Sequence, residues 1–140
     1  MPDPLSQGRP TTLFTLTERA MSAQLVRMNA ATSNLANAGS VASSQDQAYR
    51  PIRAVFNAEL DRATGLTSVS TGALVRSETE ATKRYDPGHP LADAEGYVFE
   101  ANVDESAEMV EIMESARQYQ NMVQAMQTAK QLMIDTLRSK

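Results

Sequence analysis

The sequence predicts a mainly α fold with a small β insert, in which long amino- and carboxyl-terminal helices pair as a coiled coil and short antiparallel strands lie between them. Apolar residues three and four apart mark both terminal segments. The middle changes to period two, and Gly, Pro and Ser cluster at the joints. These observations divide the chain into a flexible tail at residues 1–10, a discontinuous helical domain made of 11–38 and 102–140, and a loop and β-rich insert at 39–101.

Residues Met1 to Pro10 carry three Pro, one Gly and no apolar period, so they read as a tail. From Thr11, Phe14, Met21, Leu25, Met28, Thr32 and Leu35 follow one helical face, with Glu18 at the intervening position. The helix is expected to end near Asn37-Ala38-Gly39, with Gly39 left-handed at its close. Between Thr11 and Ala38 the only charges are Glu18, Arg19 and Arg27, and Ala, Ser, Thr, Asn and Gln fill the remaining positions. Small uncharged side chains let neighbouring elements approach closely without stripping water from a charge, so burial on several sides is expected. An ordinary amphipathic helix in a monomer is the alternative.

The second helix carries the strongest pattern. Met109, Ile112, Ala116, Tyr119, Val123, Met126, Lys130, Met133 and Leu137 alternate three and four apart, a heptad seam broken only by Lys130. Asn102 is expected to cap its start with Glu105 three residues on. Glu108, Glu111 and Glu114 read as a solvated, dipole-matched first stretch, with Arg138 and Lys140 at the other end. A second row, Met122, Ala125, Ala129 and Leu132, lies about 100° around the helix, and one partner helix does not easily cover both. A helix of about 35 residues spans about 50 Å, longer than a compact domain of this size requires.

Between the helices, Ile52, Ala54, Phe56, Ala58 and Leu60 alternate with Arg53, Val55, Asn57 and Glu59, which favours a strand. Val69–Glu80 and Gly96–Glu100 read as two further short strands. Tyr85-Asp86-Pro87-Gly88-His89-Pro90 reads as a turn or loop, because both prolines lack a donor and restrict the residue before them.

Composition narrows the function. The 140 residues are 41% apolar and 21% charged, which argues against wholesale disorder. A net charge of −4 without a basic stripe offers no footprint for nucleic acid. No run is long and apolar enough to cross a bilayer, and Met1-Pro2-Asp3-Pro4 does not resemble a cleaved signal. With no Cys and one His, thiol nucleophiles and the usual zinc sites are excluded, and His89 reads as a turn residue. No phosphate-binding glycine loop, G-x-S-x-G or H-E-x-x-H occurs, so an enzyme is not expected, nor any cofactor or metal. Seven of the eight Met lie in the helical segments, where they serve either as core filler or as adaptable contact surfaces.

Ala23-Gln24, Arg27-Met28-Asn29 and Ser33-Asn34-Leu35-Ala36-Asn37-Ala38 closely resemble the amino-terminal motif of flagellar axial proteins. Tyr49-Arg50-Pro51, the run from Tyr85 to Asp93, and Gly96-Tyr97-Val98 with Asn102-Val103-Asp104 resemble, within that family, the proximal rod proteins of the basal body. The resemblance extends from Leu16 to Leu137, with Met109 and Ser115-Ala116-Arg117-Gln118-Tyr119-Gln120 matching the terminal helix. Arg19-Ala20 stand where Ser-Gly is common, Ala101 stands where Pro usually precedes Asn-Val, and the amino-terminal tail is an addition.

The resemblance implies that the terminal helices pair to line the inner tube of the rod, with the β insert outside and subunits stacked helically. It implies partnership with copies of itself and other rod proteins, with the flagellar type III export apparatus, and with surrounding ring proteins. It also implies delivery to the periplasm without a cleaved signal peptide, and transmission of motor torque to the hook. The candidate assembly interface comprises Met21, Leu25, Met28, Asn34, Leu35 and Asn37 on the first helix and Ile112, Tyr119, Val123, Met126 and Met133 on the second. Asn34 and Asn37 are expected either to bond backbone or neighbouring elements or simply to cap. A soluble helical adaptor or secretion chaperone is the alternative function.

Overall fold

The computed structural model describes residues 12–140, and the expected flexible tail at 1–10 lies outside them. Thr12 starts the first helix, α1 (Leu13–Ala36), its hydroxyl accepting from the backbone N–H of Thr15. The elements that follow are β1 (Val41–Ala42), β2 (Ile52–Asp61), β3 (Leu66–Arg76), β4 (Thr82–Tyr85), β5 (Tyr97–Glu100) and α2 (Glu105–Arg138).

The strands form two antiparallel sheets, a long β2–β3 hairpin and a three-stranded sheet in the order β1-β5-β4. A mainly α fold with a small β insert is therefore incorrect: the β part is two sheets, one of them built from strands of 10 and 11 residues. The cause lies in the register. The period-two run of β2 is matched along its length by β3, which begins at Leu66 rather than Val69 and ends at Arg76 rather than Glu80. Every residue of β4 is exposed, and β1 has two residues, so neither strand shows an alternation to detect.

Within the hairpin the register shifts between Val55 and Phe56, leaving Gly72 unpaired between Ala73 and Thr71. A Cβ at Gly72 would meet the Asn57 side-chain nitrogen at 2.6 Å and the Val55 carbonyl at 3.2 Å, so a side chain there would displace the Asn57 amide and crowd the neighbouring strand. In the second sheet, Val98 on β5 is fully buried. The Asp93 carboxylate accepts from the N–H groups of Glu95 and Tyr97 at 3.0 and 2.8 Å, closing the turn in which Gly96 takes φ +87°. Tyr85 is the last residue of β4 rather than part of the loop, and packs edge-on against Tyr97 with centroids 5.2 Å apart. His89 is a turn residue: its Nδ1 accepts from the N–H of Leu91 at 3.0 Å.

Two helix ends differ from expectation. Gly39 is not left-handed, since among the described residues only Gly65 and Gly96 have positive φ. Asn37 closes α1 instead: its backbone N–H reaches the Ser33 and Asn34 carbonyls, and its side-chain amide donates to Ser33 O at 2.8 Å. At α2 the cap is Asp104, which accepts from Ala107 N–H, while Asn102 donates to the Glu80 carbonyl. Asp104→Ala should therefore cost about 1 kcal/mol and Asn102→Ala clearly less, measured by urea unfolding followed by circular dichroism.

Candidate assembly surface

α1 is the central element, in contact with α2 and with both strands of the hairpin. Its buried residues are Ala23, Ala30, Ala31 and Asn34. At 100° per residue this face lies about 130° from the row Met21, Leu25, Met28 and Leu35. The close-packed face is thus the small-residue one. Met21, Met28 and Leu35 remain half-buried and Leu25 is exposed.

On α2 the fully buried residues are Glu108 and Ser115. The packed face runs between the two apolar rows, taking half-buried Ile112, Tyr119 and Met126 from the first and Met122 and Ala129 from the second. Val123 is also half-buried, whereas Met109 and Met133 are each 50% exposed. The interiors of both helices are therefore small or polar, and many of their large apolar side chains point outward.

Asn34 is the most connected residue of the candidate set. Its side-chain oxygen accepts from the Ile52 N–H at 2.7 Å and the Tyr49 hydroxyl at 2.9 Å, and its nitrogen donates to the Ile52 carbonyl at 2.9 Å. The amide presents to the first residue of β2 the donor and acceptor that a neighbouring strand would offer. Ser33 joins the network, its hydroxyl 3.1 Å from that of Tyr49. Asn37 turns the other way, to the helix end and to Ser40, whose hydroxyl donates to its side-chain oxygen. Asn34 thus makes the backbone link to a neighbouring element, and Asn37 caps.

Between α1, the hairpin and the start of α2 lies a groove of about 650 Å³. Two ion pairs sit at its α2 side. Arg27 on α1 holds the Glu111 carboxylate with Nε and Nη2 at 2.8 and 2.7 Å, and Arg53 on β2 holds Glu108 at 2.6 Å. Glu108 and Glu111 are therefore not the solvated charges the sequence suggested: Glu108 is 2% exposed and Glu111 is half-buried. Glu105 is exposed, and Glu114 pairs with Arg117 on the helix surface. The second oxygen of Glu108 and the hydroxyl of Ser115 are buried without a protein partner. A buried carboxylate is costly unless paired, so Arg53 is required wherever Glu108 is packed.

Arg19 makes the third long-range link, donating to the buried Ser68 hydroxyl on β3 at 2.8 Å. The signal for these links was present in the sequence. Two of the three charges on an otherwise uncharged α1, Arg19 and Arg27, are the residues that reach other elements. Among the described residues no three acidic or histidine side chains converge to hold a metal. Asn34→Ala would strand the Ile52 N–H, whereas the Ile52 carbonyl keeps a donor in Arg53 and the Tyr49 hydroxyl keeps Ser33, so it should cost about 1–3 kcal/mol in urea unfolding. Arg53→Met should destabilise more than Arg53→Met combined with Glu108→Leu, because only the single change leaves a buried charge alone.

Comparison with known proteins points in one direction. The family model described as "Flagellar basal body rod FlgEFG protein C-terminal" matches residues 94–138, which include all of α2. The flagellar basal-body rod protein FlgC of Salmonella typhimurium is 38% identical over 125 residues, covering 89% of this chain and 93% of the relative. That of Escherichia coli O6:H1 is 42% identical over 127 residues with the same coverage. The protein of the same name from Agrobacterium fabrum is 30% identical across 81% of this chain and 83% of its own. The chain belongs to the FlgC family of flagellar basal-body rod proteins.

Proposed function

We propose that this chain is a stacking subunit of the proximal rod, polymerising through outward faces of α1 and α2 to form part of the shaft that carries motor torque to the hook. As a member of its family it is a structural rod subunit of the flagellum and assembles with other rod proteins. Its work is mechanical rather than catalytic. Delivery through the type III export apparatus without a cleaved signal, a periplasmic position and contact with surrounding ring proteins belong to the same reading.

The observation that carries it is an inverted distribution of apolar residues. Among the described residues the buried hydrophobic ones are alanines and Val98, while Met109, Val110, Met113, Leu132, Met133 and Leu137 stand exposed along α2. Burial contributes about 0.8 kcal/mol per CH₂ and about 1.5–3 kcal/mol per large apolar side chain, so most of the available stabilisation is realised only when neighbours cover these faces. The candidate surface residues Met21, Leu25, Met28, Leu35, Ile112, Tyr119, Val123, Met126 and Met133 are half-buried or exposed on these helices, and Asn34 and Asn37 fix the helix end beside them. The adaptor or chaperone reading is not favoured, because the matched relatives are rod proteins across about nine-tenths of the chain.

Val123→Asp should abolish hooks and filaments, counted by electron microscopy of a deletion strain complemented with the variant. Normal swimming by that strain would show the surface to lie elsewhere. Dilute monomer should also show lower helicity than chain assembled in the rod, since the cost of ordering the helices is offset by neighbour contacts. A fully helical monomer with a cooperative melt by circular dichroism would count against this.

A further inference from the structure

The two helices run antiparallel. Arg27 meets Glu111, while Ala20, two turns earlier on α1, lines the same groove as Met122, three turns later on α2. Counting equal rises from that ion pair places Leu13, the first residue of α1, opposite Ala125. Residues 126–138 of α2 therefore extend about 20 Å beyond the start of α1. Met133 and Leu137 continue the packed face of Glu108, Ser115 and Tyr119, yet they are 50% and 70% exposed because α1 has ended.

The segment that joins α1 at this point is residues 1–11. Thr12 is extended, with φ −100° and ψ 169°, so the chain enters the helix from an extended approach rather than from a further turn. Pro10 has no N–H and holds Arg9 out of the helical region, and Pro4 does the same to Asp3, so this sequence favours polyproline II geometry. At three residues per turn that geometry gathers Asp3, Ser6 and Arg9 on one side. The other two sides, with Pro4 and Pro10 on one and Pro2, Leu5 and Gly8 on the next, carry no charged side chain. Residues 1–11 at about 3.1 Å each span about 34 Å, enough to follow about 20 Å of bare helix and to cross to it from α1.

We propose that residues 1–11 run on past the start of α1 along the carboxyl-terminal end of α2 of the same chain, laying their uncharged sides against Met133 and Leu137. The segment takes over, on the same face of α2, the place that α1 occupies farther back. Being tethered, it meets that face at an effective concentration on the order of millimolar, so a modest contact suffices. An extended chain is thinner than a helix of about 10–12 Å, and it leaves Leu132, about 100° round, and the outer side of Met133 to neighbouring subunits. This goes beyond the rod-subunit reading, since it concerns a contact within one chain, made by residues that precede the stretch resembling the family.

The chain has no cysteine, so an introduced pair reports one contact. Leu5 lies about 25 Å of extended chain from Leu13, and Leu137 about 18 Å of helix beyond Ala125. Leu5→Cys and Leu137→Cys in one copy, expressed in a deletion strain, should therefore close when isolated basal bodies are oxidised, giving a faster band at monomer mass on a non-reducing gel. Pro10→Cys with Met133→Cys, about 9 Å and 12 Å out on the same count, serves as the second pair should the first fail to assemble. Incorporated pairs that stay open to maleimide overturn the contact, because residues 1–11 then lie off α2. Pairs that link only between copies overturn it as well, by giving the face to a neighbour. Failure of the rod reading looks different: even the unmodified chain would then be missing from basal bodies.

Discussion

The geometry of this chain depends on one side-chain amide standing in for a strand. Asn34 occupies both the N–H and the C=O of Ile52, the residue at which β2 begins. The hairpin is a two-stranded sheet, so without such a partner the N–H of that residue would face the helix unpaired. Gln45 repeats the device: its amide donates to the Ala81 carbonyl and accepts from the Ala81 N–H, immediately before β4. The starts of β2 and β4 are therefore each met by a side-chain amide from an earlier segment. Because hydrogen bonds are directional, the Asn34 tie also constrains how β2 runs relative to α1.

A close-packed alanine face on α1 follows from the same constraint. The Asn34 amide reaches the Ile52 backbone only if the helix lies nearly against the strand, and larger side chains at Ala30 or Ala31 would hold it away. The result is an interior with little apolar area, in which Arg27–Glu111, Arg53–Glu108 and Arg19–Ser68 fix the relative positions of α1, α2 and the hairpin. Only the Glu108 carboxylate among these groups is a fully buried charge, and such a charge adds little net stability but penalises any arrangement that separates it from its partner. The interior specifies a geometry, and the larger apolar side chains are left for the outside.

Much of this was legible in the sequence, though not all of it for the reasons first given. Both helices were marked by their periods, and the uncharged polar face of α1 correctly signalled close approach on more than one side. The apolar row Met21, Leu25, Met28 and Leu35 is real, but it is not the face that packs. Hydrophobic periodicity finds where apolar residues lie, and in a chain that buries alanine and exposes methionine the two questions have different answers. The β content was underread for another reason. A bulge at Gly72 and an all-exposed β4 remove the strict alternation that identifies strands, while the pairing that stabilises them is non-local. The role of Asn34 was only half visible: its polarity near a helix end allowed either a cap or a neighbour contact, and only the approach of Ile52, 18 residues on, decides between them.

The division between a polar-locked interior and an apolar exterior suits a subunit that must hold its shape within a stack. Apolar contacts are non-directional and scale with area, so alone they permit neighbouring surfaces to slide past one another at little cost. Hydrogen bonds and ion pairs at 2.6–2.9 Å resist such displacement, because small shifts in distance or angle weaken them steeply. In this chain the directional interactions lie between elements of one subunit, and the area-dependent surfaces face outward. Each subunit can then keep a fixed internal angle while its outer faces repack against neighbours that are not identical, a task to which the unbranched, rotatable side chains of Met109, Met113 and Met133 are well suited. A conventional large apolar core would reverse this arrangement: it would stabilise the isolated chain, but leave less apolar surface to stabilise the stack.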